Sequence, residues 1–166
     1  MLQGLSYSRK NSCVSIYKTR IAVGEAIDNL KLKNFNLQHV SIIDTGFHNA
    51  VHSIDFYRTN ELICFHGKQN TAFFWVSEFG PLVAAGAIVP ILIKGHDTSH
   101  ASDCFGFDTL AAAFFNIGIP RSSIARYEQA LMADQCLLIV HGERNDVEQA
   151  CYLLHSDTQQ VAVHVA

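Results

Sequence analysis

The segment Leu137–Val165, LLIVHGERNDVEQACYLLHSDTQQVAVHV, contains three consecutive patterns. It begins with an almost wholly apolar run, Leu137–His141, which is typical of a strand buried on both faces. Apolar residues then recur with the spacing of an amphipathic helix, for which Asn145 or Asp146 is the predicted N-cap. The end, Gln160–Val165, alternates valines with other residues as a half-buried strand does. The segment therefore predicts a strand, a helix and a second strand.

A segment near the start, Cys13–Asp44, follows the same plan. Its first strand, Cys13–Tyr17, leads through an N-cap at Thr19 into a helix that runs to about Lys33, and its second strand is His39–Asp44. The helix carries an apolar stripe of Val23, Ala26, Ile27 and Leu30. Two such βαβ units are the components of a ferredoxin-like sandwich, an α+β fold in which a four-stranded antiparallel sheet has helices on one face.

Between the two units lies a long insertion, residues 45–136, whose patterns predict further elements. These are a hairpin of Leu62–His66 and Thr71–Val76, a buried strand within Phe79–Ile93, and a helical hairpin of Phe107–Asn116 and a helix from Pro120 to about Met132. Gly118 is a natural C′ residue, and Pro120 suits the first turn of the helix that follows. Since no linker separates these parts, the sequence predicts one domain, residues 1–166, with βαβ units at 13–44 and 137–165.

Composition excludes several classes of protein. The 166 residues are 49% hydrophobic and 16% charged, which indicates a globular chain rather than a disordered one. The net charge of −3, with no cluster of Lys and Arg, argues against nucleic acid as a partner.

The uncharged run Phe79–Ile93 is the only stretch that suggests a membrane span. It is shorter than the roughly 20 residues that a transmembrane helix needs. It also contains Gly80, Pro81, Gly86 and Pro90, which are unfavourable inside a helix. A buried strand flanked by turns is the better interpretation, and membrane association is not expected.

The cysteines and the amino-terminal residues predict a cytoplasmic protein. The five cysteines, Cys13, Cys64, Cys104, Cys136 and Cys151, form no C-x-x-C motif and are odd in number, which favours free thiols in a reducing compartment. Residues Met1–Ser12 are polar and lack the apolar region of a signal peptide.

Two histidine pairs have the spacing of metal ligands. They are His48 with His52, and His96 with His100, the second followed by Asp103. Imidazole and carboxylate groups bind divalent transition metals, so His96, His100 and Asp103 are candidate ligands. Surface histidines are the alternative interpretation, because the second pair lies in a predicted loop. No cofactor is otherwise implied.

For the other polar residues, a structural role is a better interpretation than a functional one. Tyr127 falls at a buried helical position, so we expect a core residue whose hydroxyl bonds to the backbone. His39 and His164 are predicted to lie on the sheet face opposite the helices of the βαβ units. Ser122 and Ser123 fall in the first turn of a helix, where serine serves free backbone amides. No catalytic residue can be assigned.

Several of these motifs also resemble the bacterial heat-induced, general stress protein domain family. The similar stretches are Gly80–Gly86 with Pro81, Leu110–Phe114 before Gly118-Ile119-Pro120, Tyr127–Leu131, and Leu137–His141. The chain departs from the family in its histidine-rich middle and in lacking a very glycine-rich stretch after the apolar run. The resemblance implies a stress-associated, cytoplasmic role without an established cofactor, and it supplies no catalytic residues.

Two hypotheses of function follow. The first is a non-enzymatic stress or regulatory domain that forms a homo-oligomer. In a ferredoxin-like sandwich the helices cover only one face of the sheet, so the other face must contact solvent, the insertion or another subunit. The phenylalanine-rich stretch, Phe65, Phe73, Phe74, Trp75 and Phe79, supplies apolar material for that cover. The second is a small-molecule or metal sensor that uses the histidine-rich insertion.

Overall fold

The computed structural model describes residues 11–45, 71–76, 80–92, 107–155 and 160–165. These residues form six strands and four helices, besides a 3-10 turn at Leu37–His39 and a helical turn at 89–92. The elements are β1 (Asn11–Tyr17), α1 (Arg20–Leu32), β2 (Val40–Thr45), β3 (Thr71–Val76), β4 (Gly80–Gly86), α2 (Phe107–Asn116), α3 (Arg121–Met132), β5 (Cys136–Gly142), α4 (Arg144–Leu154) and β6 (Gln160–His164).

All six strands belong to one sheet, in the order β3-β4-β2-β5-β1-β6, and every neighbouring pair is antiparallel. The two predicted βαβ units therefore share a sheet, with β5 inserted between β1 and β2. Residues Cys136–Val140 of β5 are buried, which confirms the prediction of a central strand. The insertion is not looped out of the sheet as a whole, because β3 and β4 extend it beyond β2.

Helices cover both faces of the sheet. Cys13 and Tyr17 of β1 join an apolar cluster with residues of α1 and α4, such as Ile27 and Val147. The alternate residue Val14 joins a second cluster. Its members from the insertion include Ile88, Leu110, Phe114, Ile124, Tyr127 and Leu131. The first surface is the α1/α4 face and the second is the α2/α3 face, and the insertion rather than solvent meets the latter.

The helix ends match the sequence signals in most cases. The Thr19 hydroxyl caps α1, accepting a hydrogen bond from the Ala22 amide at 3.2 Å, as predicted. The predicted caps of α4 are wrong, because Glu143 occupies the N-cap position without a side-chain hydrogen bond. Asp146 lies instead in the first turn of α4, where its negative charge interacts favourably with the helix dipole and stabilises the helix.

Three helices end in the same backbone motif. After α2, Gly118 has a φ of +97°, and the Ile119 amide donates to the Phe114 carbonyl at 3.1 Å. This is the Schellman arrangement predicted for Gly118. Asn34 and Asp134 take the equivalent place after α1 and α3, with φ of +56° and +59°. Pro120 stands at the N-cap of α3, one position before the predicted first turn.

The apolar run is a strand only in its first part. β4 ends at Gly86, whose φ is +98°, and a Cβ there would lie 2.2 Å from the Val40 carbonyl oxygen. The prediction of a buried strand flanked by a turn is confirmed for Gly80–Gly86, and the helical residues 89–92 that follow the turn were not predicted. Pro90 is compatible with that first turn because its missing amide has no partner to lose. Among the described helices, none has the length and apolarity to cross a membrane.

Candidate functional site

The residues predicted to bind metal cannot be compared with the structure. His48, His52, His96, His100 and Asp103 all lie outside the described residues, as do the strand Leu62–His66 and the side chains of the phenylalanine-rich stretch. Within the parts of the chain that are described, no three His, Cys, Asp or Glu side chains are placed to hold a metal ion.

The residues on which the resemblance to the stress protein family rests have structural roles. Gly80 and Pro81 begin β4, and Gly86 ends it where the backbone passes close to β2. Gly118 and Pro120 form the connection between α2 and α3. These residues shape the junctions between the insertion and the sheet.

A polar cluster lies where β1 and β2 end and β5 begins. Asp44 of β2 is only 2% exposed and points toward the α1/α4 face, in step with Val40 and Ile42. The Arg20 Nε donates to its Oδ2 at 2.5 Å. Arg20 reaches Asp44 because only two residues separate β1 from α1, so the first turn of α1 stands above this end of the sheet.

Three further residues complete this group, which we call the Arg20–Asp44 cluster: Cys136, Thr45 and Asp134. Burial, with the nearby charge of Asp44 as the next cause, raises the pKa of the Cys136 thiol well above its ordinary range. Cys136 therefore stays a neutral thiol that hydrogen-bonds Asp44. On the other side of the strand, the Thr45 hydroxyl donates to Asp134 Oδ1 at 2.6 Å.

A shallow cleft of about 300 Å³ opens beside the cluster. It is lined by Lys18, Thr19, Arg20, Ile21, Asp44, Asp134 and Cys136. Two cationic and two anionic side chains balance each other there, and the neutral Cys136 is poorly suited to act as a nucleophile. The cleft offers hydrogen-bond donors and acceptors to a small polar molecule.

Sequence reasoning missed this cluster, although one signal was present. Asp44 falls at a position that should be buried, in register with Val40 and Ile42, and a buried carboxylate is almost always paired. That pattern predicts a cation nearby. It does not identify Arg20, because the pairing depends on how α1 crosses the sheet.

A second polar contact joins the α2/α3 face to the last strand. Tyr127 of α3 is fully buried, and its hydroxyl lies 2.6 Å from the Nε2 of His164 in β6. The rings meet edge to face, with centroids 5.8 Å apart. The prediction that Tyr127 belongs to the core is confirmed, but its hydroxyl bonds to an imidazole and not to the backbone.

Both members of this pair are neutral near pH 7. Burial raises the pKa of Tyr127 to about 12. Burial, and secondarily the positive charge of Arg126, lowers the pKa of His164 below its ordinary value of 6.5. The Arg126 guanidinium lies 5.9 Å from the centre of the Tyr127 ring. A neutral tyrosine and a neutral histidine form a hydrogen bond in which neither carries a charge.

The two histidines predicted on the α2/α3 face lie in different places. His164 is on that face, as its contact with Tyr127 shows. His39 is not, because its Nε2 lies 3.9 Å from Asp146 of α4, and its ring lies beside Gly142. The prediction for His39 fails because the 3-10 turn delays the start of β2 to Val40, so strand alternation does not yet apply.

β6 stands at one end of the described sheet and pairs there only with β1. Its sequence, QVAVH, contains neither proline nor a Lys, Arg, Asp or Glu residue. Val163 is 41% exposed, and Val165, which follows the strand, is 40% exposed. Sheet edges in monomeric proteins are usually protected by charges, prolines or bulges. The outer side of β6, called the β6 edge below, carries no charge or proline of this kind.

Comparison of the chain with models of known protein families, with curated proteins and with solved structures found no match. The resemblance to the stress protein family stays a hypothesis drawn from the motifs alone.

Proposed function

We propose that this chain is a non-enzymatic, bacterial stress-associated or regulatory domain that self-associates through the β6 edge. The observation that carries the proposal is the outer side of β6, which pairs with no other described strand and carries no charge or proline, with Val163 and Val165 exposed beside it. A row of backbone donors and acceptors at a sheet edge, flanked by valines, is a template for pairing with another strand.

A second copy of the same chain fits this edge by symmetry. Two β6 strands related by a two-fold axis at Ala162 pair antiparallel, which sets Val161 opposite Val163 of the other copy. Cross-strand pairs of β-branched residues favour such an arrangement. Dimers with two-fold symmetry are the commonest assemblies of soluble proteins. The expected product is a homodimer whose two sheets join edge to edge.

The remaining parts of the proposal concern fold and location. We infer that β2, β5, β1 and β6, with α1 and α4, form a ferredoxin-like sandwich within a single domain. Their order and the two βαβ crossovers support this assignment. The motifs at Gly80–Gly86 and Gly118–Pro120 support membership of the stress protein family. The scattered cysteines without a C-x-x-C motif support a cytoplasmic location, and the lack of a Lys and Arg cluster supports a role without nucleic acid.

The test is the molar mass of the chain in solution, measured by light scattering across micromolar concentrations. The expected result is a dimer for the natural chain and a monomer for Val163→Lys, because a lysine at the centre of the interface opposes pairing. Met132→Lys is the matched control, since Met132 is an apolar residue that is 60% exposed and belongs to α3 rather than to β6. A natural chain that stays monomeric throughout contradicts the proposal.

A second candidate is a small-molecule or metal sensor. The cleft beside the Arg20–Asp44 cluster favours it, because buried charges there border a space of about 300 Å³. For the metal form of this hypothesis, protein purified without an affinity tag is assayed for bound transition metal. Metal that is present in the natural chain and lost in the His96→Ala/His100→Ala variant supports a site in the insertion, and equal metal content in both eliminates it.

A further inference from the structure

Two cysteines from opposite ends of the sequence lie close together where α4 packs on β1. Cys13 lies in β1, points toward the α1/α4 face and is fully buried. Cys151 lies on α4, packs against the same apolar cluster and is half-buried. Their side chains are close enough for a hydrogen bond between the two thiols. Both are free thiols in this structure.

Only one of the two thiols lies beside an open surface. Cys151 lines a groove of about 670 Å³ between α1 and α4, together with residues such as Lys33, Tyr152 and His155. Tyr152 is 83% exposed there, so this side of the groove faces solvent. Cys13 lies behind Cys151 with no exposed surface. A reagent that enters the groove therefore meets Cys151 first.

We propose that Cys13 and Cys151 form a latent disulfide, which closes when a hydroperoxide oxidises Cys151. The Cys151 sulfur attacks the terminal peroxide oxygen, the O–O bond breaks, and an alcohol or water leaves with the thiol proton. The product is a sulfenic acid on Cys151. The Cys13 sulfur then attacks the Cys151 sulfur, the S–O bond breaks and water leaves. The two thiols together lose two electrons and two protons, which the peroxide accepts.

The second step depends on pH. Burial raises the pKa of the Cys13 thiol above its ordinary range, and the neighbouring Cys151 adds to this effect. Since the thiolate is the attacking form, closure is slow at neutral pH and accelerates as pH rises.

The cross-link joins the two elements that hold the last strand in place. β1 pairs with β6 along its length, and α4 packs on β1. A covalent bond between β1 and α4 closes a long loop of chain and so restricts the unfolded state. Oxidation is therefore expected to raise the midpoint of urea unfolding. This inference is independent of self-association, because neither thiol lies on the β6 edge.

The experiment uses the full chain with Cys64→Ser and Cys104→Ser, so that three of its five cysteines remain. After treatment with hydrogen peroxide and removal of the excess, the thiol titre is expected to fall from three to one, and a non-reducing peptide map to contain one Cys13–Cys151 cross-link. The mass decreases by two hydrogens, and dithiothreitol restores it. Cys136→Ser in the same background is the control that should keep the cross-link.

Variants separate the two steps. In Cys13→Ala, Cys151 has no thiol to resolve it, so a dimedone adduct should accumulate on Cys151. In Cys151→Ser, Cys13 should remain unmodified at peroxide concentrations that close the natural pair. Oxidation of Cys151 to the sulfinic acid without any cross-link in the parent chain, or a cross-link that involves Cys136, overturns the proposal. The peptide map of the parent chain distinguishes these outcomes even if a variant fails to fold.

Discussion

The two faces of the sheet bury polar side chains in different ways. On the α1/α4 face, the buried Asp44 is balanced by the charge of Arg20. On the α2/α3 face, the buried groups are neutral: the Ser12 hydroxyl donates to the Ile117 carbonyl, and the Ser41 hydroxyl accepts from the Ile88 amide, both at 2.8 Å.

The difference reflects where each layer comes from in the chain. The helices of the α1/α4 face follow directly from the strands they cover, so short connections and apolar stripes position them. The helices of the α2/α3 face belong to the insertion, and hydroxyl groups of β1 and β2 fasten its backbone to the sheet. We therefore expect the α1/α4 face to be sensitive to charge, and the α2/α3 face to be sensitive to backbone geometry and pH.

The largest effect is expected where the insertion joins the sheet. In Gly86→Ala, the new methyl group would lie 2.2 Å from the Val40 carbonyl oxygen, in a backbone conformation that alanine disfavours. We expect a loss of about 4 kcal/mol or more in the free energy of unfolding, measured with urea.

Gly118→Ala is the matched control, since Gly118 also has a positive φ, +97°. It should cost only about 1 to 2 kcal/mol, the penalty of the left-handed conformation. Equal effects of the two substitutions would contradict the close contact at Gly86.

On the α1/α4 face, loss of the cation should cost more than loss of the anion. Arg20→Met leaves the nearly inaccessible Asp44 carboxylate without that cation, and we expect about 3 kcal/mol of destabilisation. Asp44→Asn leaves an arginine that is 27% exposed and can reach water, so its cost is smaller. Urea unfolding at pH 7 measures both, and the reverse order would mean that Arg20 and not Asp44 carries the desolvation cost.

The α2/α3 face should respond to acid through His164. Because the pKa of His164 is below 6.5 in the folded chain, the unfolded chain takes up a proton first as pH falls. The contribution of His164 to the free energy of unfolding is therefore complete above pH 6.5, and it is lost progressively as the pH falls below that value. His164→Gln should flatten this part of the stability curve. The comparison is urea unfolding from neutral to acidic pH, with His155→Gln, an exposed histidine, as control.

If both variants keep the same slope as the natural chain, the pair with Tyr127 does not govern the acid response.

The smallest effect is expected at the helix ends, and it is a gain. Asn34→Gly removes the strain of a φ of +56° while keeping the Schellman hydrogen bonds, so we expect about 0.5 to 1 kcal/mol of stabilisation. Asp134→Gly relieves the same strain but removes the acceptor for Thr45, so the gain should disappear. Thermal unfolding of the two variants measures the contrast, and a gain of equal size in both would show that the Thr45 contact is worth nothing.

Local patterns predicted the elements well and their packing only in part. The helix Phe107–Asn116, the cap at Thr19 and the C′ role of Gly118 were all correct, because each depends on neighbours within a few residues. The central position of β5 was also correct, since an apolar run reports burial on both faces.

The features that could not be predicted from the sequence depend on contacts between residues that are distant in the chain. Nothing local indicates that β4 pairs with β2, that α2 and α3 lie across the sheet from α1, or that Arg20 finds Asp44. His39 was misplaced because a short 3-10 turn shifts the start of β2.

Hydrogen exchange at β6 tests the central proposal most directly. If the β6 edge pairs with a second copy, alternate backbone amides of Gln160–His164 should exchange more slowly as the protein concentration rises through the micromolar range. The same amides in Val163→Lys should exchange quickly at every concentration. Exchange rates at β6 that are independent of concentration in a chain that is nevertheless dimeric would place the interface elsewhere and contradict the account.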